Sequence, residues 1–81
     1  MMNRREIEVA ILENDRDVTF VDVKGERVYA KSTPEEFDPL EDHSYEIKKD
    51  NHTEGVYELE EAIIRLEELK VLKVWKEQNE N

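Results

Sequence analysis

An 81-residue chain with a net charge of −10 and no cysteine is too short for more than one domain and cannot form disulfides or cysteine-ligated metal sites. The negative charge disfavours direct binding to nucleic acid and to anionic membranes, because the phosphates of both attract Lys and Arg. No apolar run approaches the roughly 20 residues that span a bilayer. We therefore predict a soluble, cytoplasmic protein whose charged partners are basic.

Residues 6–31 predict a three-stranded antiparallel meander. In residues 6–13 the apolar side chains of Ile7, Val9 and Ile11 alternate with their neighbours, a pattern typical of a half-buried strand. Residues 17–23 are rich in β-branched and aromatic side chains, which favour a second strand. Lys24-Gly25 then suits a hairpin turn into a third strand at residues 26–31.

Residues 32–55 predict an acidic connecting region with a short helix and a fourth strand. Thr33, Pro34 and Glu36 form a helix-start signature, and Pro39 ends that helix within a turn or two. The fourth strand is predicted at residues 44–49, and the polar residues that follow it predict a loop ending at the second glycine.

Residues 58–75 predict a C-terminal amphipathic helix. Its apolar stripe has the i, i+3, i+4, i+7 spacing of one helix face and includes Leu59, Ala62, Ile63, Leu66 and Leu69. No Gly, Asn or Pro marks a stop, so we expect the helix to continue to Trp75. An alternative stays open, in which residues 71–75 form a closing strand after a turn near Lys70.

These elements predict one α+β domain over residues 1–81. It consists of a three- to four-stranded antiparallel sheet with the C-terminal helix packed on one face, because a lone meander needs such cover to be stable. Residues 76–81 are expected to form a frayed tail.

The negative charge is concentrated in the middle of the chain. Residues 32–62 hold eleven acidic residues and two lysines, a net of −9 out of −10. Such a region can speed docking onto a basic partner, or it can be a solvated surface that keeps a small protein soluble. The candidate partner-binding residues are Glu35, Glu36, Asp38, Glu41 and Asp42, with Glu54, Glu58 and Glu61 as extensions.

Trp75 is the remaining candidate. A tryptophan near the end of the chain either completes the core over the sheet, which we expect, or anchors an interface, where tryptophan is enriched.

No catalytic, cofactor or metal signature is found. His43 and His52 lack the i, i+4 spacing of a helical zinc pair, and two glycines 30 residues apart form no phosphate-binding loop. A general acid needs an apolar pocket, which a chain of this size scarcely encloses. We therefore predict no enzyme activity and no cofactor.

The predicted function is that of a small acidic regulatory or adaptor protein that binds and modulates another protein with a basic surface, in the style of a phage or mobile-element inhibitor. One alternative is a nucleic-acid mimic that occupies a DNA- or RNA-binding groove. A second is a homo-oligomeric structural protein, and a homodimer is open in either case.

Overall fold

The computed structural model describes residues 1–33 and 44–76. These residues form α1 (Arg4–Glu13), β1 (Asp17–Asp22), β2 (Arg27–Thr33), β3 (Ser44–Lys49), β4 (His52–Glu58), α2 (Leu59–Glu68) and β5 (Val71–Val74). The predicted short helix after β2 and residues 77–81 of the predicted frayed tail lie outside the described residues. Neither α1 nor α2 is long and apolar enough to cross a membrane.

The five strands form one antiparallel sheet in the order β4-β3-β2-β1-β5. β1 to β4 follow one another as a meander, and α2 then returns the chain across the sheet so that β5 pairs with β1. The α+β class and the antiparallel sheet are therefore confirmed. The sheet has one strand more than the largest number expected, and the C-terminal helix is followed by a strand.

The core lies between the sheet and both helices. It joins buried residues of α1 and α2 to those of β1, β2, β3 and β5, so the two helices cover the same face of the sheet. The members are Ile7, Ala10, Ile11, Val18, Phe20, Val28, Ala30, Tyr45, Ile47, Ala62, Ile63, Leu66 and Val71.

The strand predicted at residues 6–13 is wrong, because these residues belong to α1. The Asn3 side chain accepts a hydrogen bond from the Glu6 backbone N–H at 2.8 Å, and the Glu6 carboxylate accepts one from the Asn3 N–H at 2.9 Å. This capping box starts the helix. Ile7 and Ile11 are buried while Val9 between them is 39% exposed. A spacing of four residues fits both the helical and the strand period, and the cap decides between them.

β1, β2 and β3 lie where strands were predicted, and Gly25 in the β1–β2 turn has a φ of 84°. The loop predicted after β3 is wrong. Asp50 and Asn51 have φ values of 53° and 64°, as in a two-residue hairpin turn, and β4 begins at the next residue. Asp and Asn tolerate this left-handed conformation, so two residues suffice where a longer loop was expected.

The helix predicted to continue to Trp75 is also wrong, and the alternative of a closing strand is confirmed. Lys70 adopts a left-handed φ of 61° and turns the chain. Such a conformation costs a lysine roughly 1–2 kcal/mol. Complete burial of Val71 and the pairing of Val74 with Phe20 offset that cost, and neither interaction is visible in the local sequence.

A buried carboxylate holds the β1–β2 turn. Asp22 is 2% exposed, and its Oδ1 accepts hydrogen bonds from the backbone N–H groups of Lys24 at 2.8 Å and Glu26 at 2.9 Å. Its Oδ2 lies 3.2 Å from the Lys49 Nζ. Burial acts to raise the pKa of Asp22, but the Glu26 N–H, the Lys49 ammonium and the Lys24 N–H together lower it. Asp22 thereby fixes one end of the sheet.

Candidate functional site

The face of the sheet opposite the helices carries no helix of the described chain. Side chains alternate along a strand, so the neighbours of the buried residues in β1, β2 and β3 point to this side. We call it the uncovered face, and every side chain on it is exposed or half-buried. It includes Asp17, Thr19, Val21, Arg27, Tyr29, Lys31, Glu46, Lys48, Val56, Glu58 and Lys73.

Four residues form a row across the middle of the uncovered face. Lys48 pairs with Tyr29, and Tyr29 pairs with Thr19. The backbone N–H of Trp75 donates to the Thr19 carbonyl at 2.8 Å, which places Trp75 next in line. With strands about 4.8 Å apart, this row extends for about 14 Å from β3 to the end of β5. We call it the aromatic–cation row.

Trp75 lies at one end of this row, under the side chain of Arg27. The Arg27 Cζ is 4.5 Å from the centre of the Trp75 ring, a cation–π contact that reaches across β1 from β2. Trp75 is half-buried and is not part of the core. The expectation that it completes the core is therefore wrong. Val74 packs against the core, so the alternation of the strand directs the next side chain to the opposite face.

Tyr29 lies in the middle of the row and is half-buried. Hydrogen bonding to the Asp17 carboxylate raises the pKa of the Tyr29 hydroxyl, and burial and the charges of Asp17 and Glu46 act in the same direction. The phenol therefore stays protonated at physiological pH. Tyr29 therefore presents an aromatic ring and a neutral hydroxyl on the uncovered face.

The basic residues of the uncovered face form no salt bridge with the carboxylates of residues 1–33 and 44–76. The salt bridges within the described residues involve Arg4, Lys49 and Arg65. None of these three lies on the uncovered face, whose basic residues are Arg27, Lys31, Lys48 and Lys73. Within the described residues, none of these four cations forms a salt bridge, so a partner's carboxylates can reach them.

An open groove of about 530 Å³ adjoins the row at the end of the sheet that holds the β1–β2 and β3–β4 turns. It is lined by Thr19, Gly25, Glu26, Arg27, Tyr29, Lys48, Asp50 and Asn51. This lining offers hydrogen-bond donors and aromatic surface. Within residues 1–33 and 44–76, no group of three His, Asp or Glu side chains is placed to hold a metal ion.

The acidic candidates are placed differently. Glu54 faces α2, where its Oε1 accepts a hydrogen bond from the Arg65 Nη2 at 2.9 Å. Glu58 pairs with Ser44 and shares the uncovered face with Val56, whereas Glu61 is exposed in the first turn of α2. These three do not form one row. The other five lie outside the described residues: Glu35, Glu36, Asp38, Glu41 and Asp42.

Sequence reasoning missed Arg27, Tyr29 and Lys48. Their alternation with buried Val28 and Ala30 in β2, and with Ile47 in β3, could have put them on a shared face. What the alternation does not tell is whether a helix covers that face.

Comparison with known proteins gives no relative from which a site could be transferred. No protein-family model, no curated protein and no solved structure matches this chain.

Proposed function

We propose that this chain is a non-enzymatic regulatory or adaptor protein that binds another protein through its uncovered face. The contact centre consists of Trp75, Arg27 and Tyr29. The observation that carries the proposal is that the chain's one tryptophan lies outside the core, stacked against an arginine on a sheet face that no described element covers. Tryptophan, tyrosine and arginine are the residue types most enriched among interface hot spots.

The geometry also lowers the entropic cost of binding. Immobilising a flexible side chain at an interface costs about 0.5–1.5 kcal/mol. Arg27 is already held against the Trp75 ring, so part of that ordering is complete in the free protein. The basic and acidic side chains around them would form the polar rim that surrounds an interface centre.

The partner's basic surface, predicted from the acidic residues 35–42, stays a prediction. So does nucleic-acid mimicry. The described acids lend mimicry no support, because Glu54 is bound to Arg65 on the helix side while Glu58 lies on the opposite face of the sheet. Direct binding of nucleic acid is disfavoured by the net charge of −10 and by the carboxylates interspersed on the uncovered face.

A comparative capture experiment tests the proposal. Tagged wild type, Trp75→Ala and Leu12→Ala are used to capture proteins from a lysate of the source cells, and bound proteins are quantified. Leu12 is the matched control, because it is apolar, 45% exposed and located on α1. We expect a protein that wild type and Leu12→Ala retain and that Trp75→Ala loses at least tenfold, the loss of a modest hot spot. Equal capture by Trp75→Ala, confirmed as folded by circular dichroism, would contradict the proposal, as would no capture above a tag-only control.

A further inference from the structure

The cations of the uncovered face, which form no salt bridge with any described residue, indicate the charge of the surface that this face fits. The described residues hold all 12 basic and 15 of the 22 acidic residues, a net of −3, and residues 34–43 and 77–81 hold the other seven acids. On the uncovered face the four basic residues outnumber the three acidic ones, which are Asp17, Glu46 and Glu58. Its charge is therefore opposite in sign to that of the whole chain.

Resting on the proposed function, we propose that the uncovered face binds an acidic segment of the partner protein, with one carboxylate on the Arg27 guanidinium and a second on the Lys48 ammonium. The Trp75 and Tyr29 rings contact the backbone and apolar side chains between these two carboxylates. The established part of the geometry is the aromatic–cation row and the Arg27 stack.

Arg27 is suited to the first carboxylate. The Arg27 Cζ lies over the Trp75 ring. A guanidinium that stacks on an aromatic face keeps the N–H donors along its edge available for other hydrogen bonds. A carboxylate can then accept two parallel hydrogen bonds, which is the strongest form of this contact. No salt bridge within the described residues competes for the guanidinium.

The spacing of the two cations sets the length of the segment. Arg27 reaches over Trp75 beside β1, and Lys48 lies on β3, three strand spacings or about 14 Å from Trp75 along the row. An extended chain advances about 3.4 Å per residue, so two carboxylates four residues apart match this distance. The row thus fits an extended segment with acidic residues at positions i and i+4.

The charge pattern of the uncovered face also favours an acidic protein segment over single-stranded nucleic acid. A nucleic-acid strand carries a phosphate at every nucleotide, and binding grooves for it are lined by basic residues along their length. On the uncovered face Glu46 and Asp17 flank the row on one side, so a continuous polyanion would meet carboxylates as well as cations. Discrete acidic side chains can avoid them. Repulsion from distant acids is screened over about 8 Å at physiological salt.

The position of Trp75 provides the assay, because it is the only tryptophan and lies in the proposed site. Its fluorescence is followed during titration with a five-residue peptide that has glutamate at both ends and alanine between. The same peptide with lysine ends, and oligothymidylate, are the comparison probes. We expect a saturable change with the glutamate peptide up to about 5 mM, a range that requires the two ion pairs and the contacts with the Trp75 and Tyr29 rings together, and its loss at high salt.

Single substitutions test whether the peptide binds at Arg27 and Lys48. Arg27→Gln and Lys48→Gln should each weaken binding about three- to fivefold, the change that corresponds to an exposed ion pair. Arg5→Gln removes the same type of side chain from α1, an exposed position on the helix side, and should bind as wild type does.

Three results would overturn the inference: no fluorescence change with the glutamate peptide, an equal change with the lysine peptide, or tighter binding of oligothymidylate. The proposed function fails separately. If Trp75→Ala loses the captured protein while Arg27→Gln and Lys48→Gln retain it, the uncovered face binds a protein but not through an acidic segment.

Discussion

Replacing Asp22 by asparagine should destabilise the fold more than any exposed charge change. Asparagine is nearly the same size, keeps one acceptor oxygen and removes the negative charge. In the native protein that charge accepts hydrogen bonds from Lys24 and Glu26 and faces the Lys49 ammonium at 3.2 Å. The substitution leaves Lys49 with Glu26 alone, also at 3.2 Å.

The expected loss of unfolding free energy follows from these contacts. A hydrogen bond to a charged group contributes about 1.5–3 kcal/mol, and breaking a buried ion pair costs about 3–5 kcal/mol. Because asparagine retains one acceptor and Lys49 retains one partner, we expect a loss of about 2–4 kcal/mol at pH 7. An 81-residue domain has a free energy of unfolding of roughly 4–12 kcal/mol, so the variant should fold with a clearly lower midpoint.

The effect should depend on pH in one direction. The pKa of Asp22 is lowered in the folded protein, so its stabilisation is present above its unfolded value of about 3.9 and is lost as pH falls through the lower folded value. The difference between wild type and Asp22→Asn should therefore be constant from pH 7 to about 5 and shrink below about 4. Lys49, whose pKa is raised by Glu26 and then by Asp22, adds stabilisation that is lost only as the pH rises through that raised value.

Urea unfolding followed by circular dichroism at several pH values measures this difference. Asp15→Asn is the control, because it removes the same charge from an exposed turn residue. The reasoning is refuted if Asp22→Asn unfolds within about 0.5 kcal/mol of wild type at pH 7, the range of ordinary surface changes, or no differently from Asp15→Asn.

Three further predictions concern the fold. Asn3→Ala should lower the free energy of unfolding by about 1 kcal/mol through loss of the α1 cap, Asn3→Ser should restore most of it, and an unchanged thermal midpoint would count against the capping box. Leu66→Ala should cost about 2–5 kcal/mol in urea unfolding because Leu66 is fully buried, whereas Leu72→Ala, at 45% exposure, should cost less than about 1 kcal/mol. Gly55→Ala should lower the free energy of unfolding because the added Cβ would lie 2.6 Å from the Tyr57 Oη. In the double variant with Tyr57→Ala, the loss of unfolding free energy should be smaller than the sum of the two single losses, and full additivity would contradict this contact.

The sequence correctly predicted those elements for which residue composition, periodicity and turn residues all indicate the same secondary structure. β1 has β-branched or aromatic residues at its four central positions, and Gly25 supplies the turn after it, so both were predicted correctly. α2 was found because its apolar stripe matches one helical face over several turns.

The missed elements are those in which a short-range signal is ambiguous or a distant contact decides. Ile7 and Ile11 fit either period, and only the reciprocal bonds between Asn3 and Glu6 fix a helix. β5 forms because Val74 pairs with Phe20, more than fifty residues away along the chain, and no Gly, Asn or Pro separates it from α2.

The sequence allowed only part of the candidate site to be predicted. Trp75 was identified as an interface candidate from its residue type, while Arg27, Tyr29 and Lys48 required two facts absent from the sequence pattern. One is the strand register that aligns them, and the other is the packing of α1 beside α2, which leaves their face uncovered. With residues 6–13 taken as a strand, the face could not be identified.

The central claim is that the uncovered face is the protein-binding surface, and chemical-shift mapping tests it most directly. Isotope-labelled protein is titrated with the most abundant captured protein, and each amide and the Trp75 indole are followed. We predict the largest changes at the Trp75 indole and at the amides of Thr19, Tyr29 and Lys48. Largest changes on α1 and α2, with the Trp75 indole unchanged, would contradict the claim and place the interface on the helices.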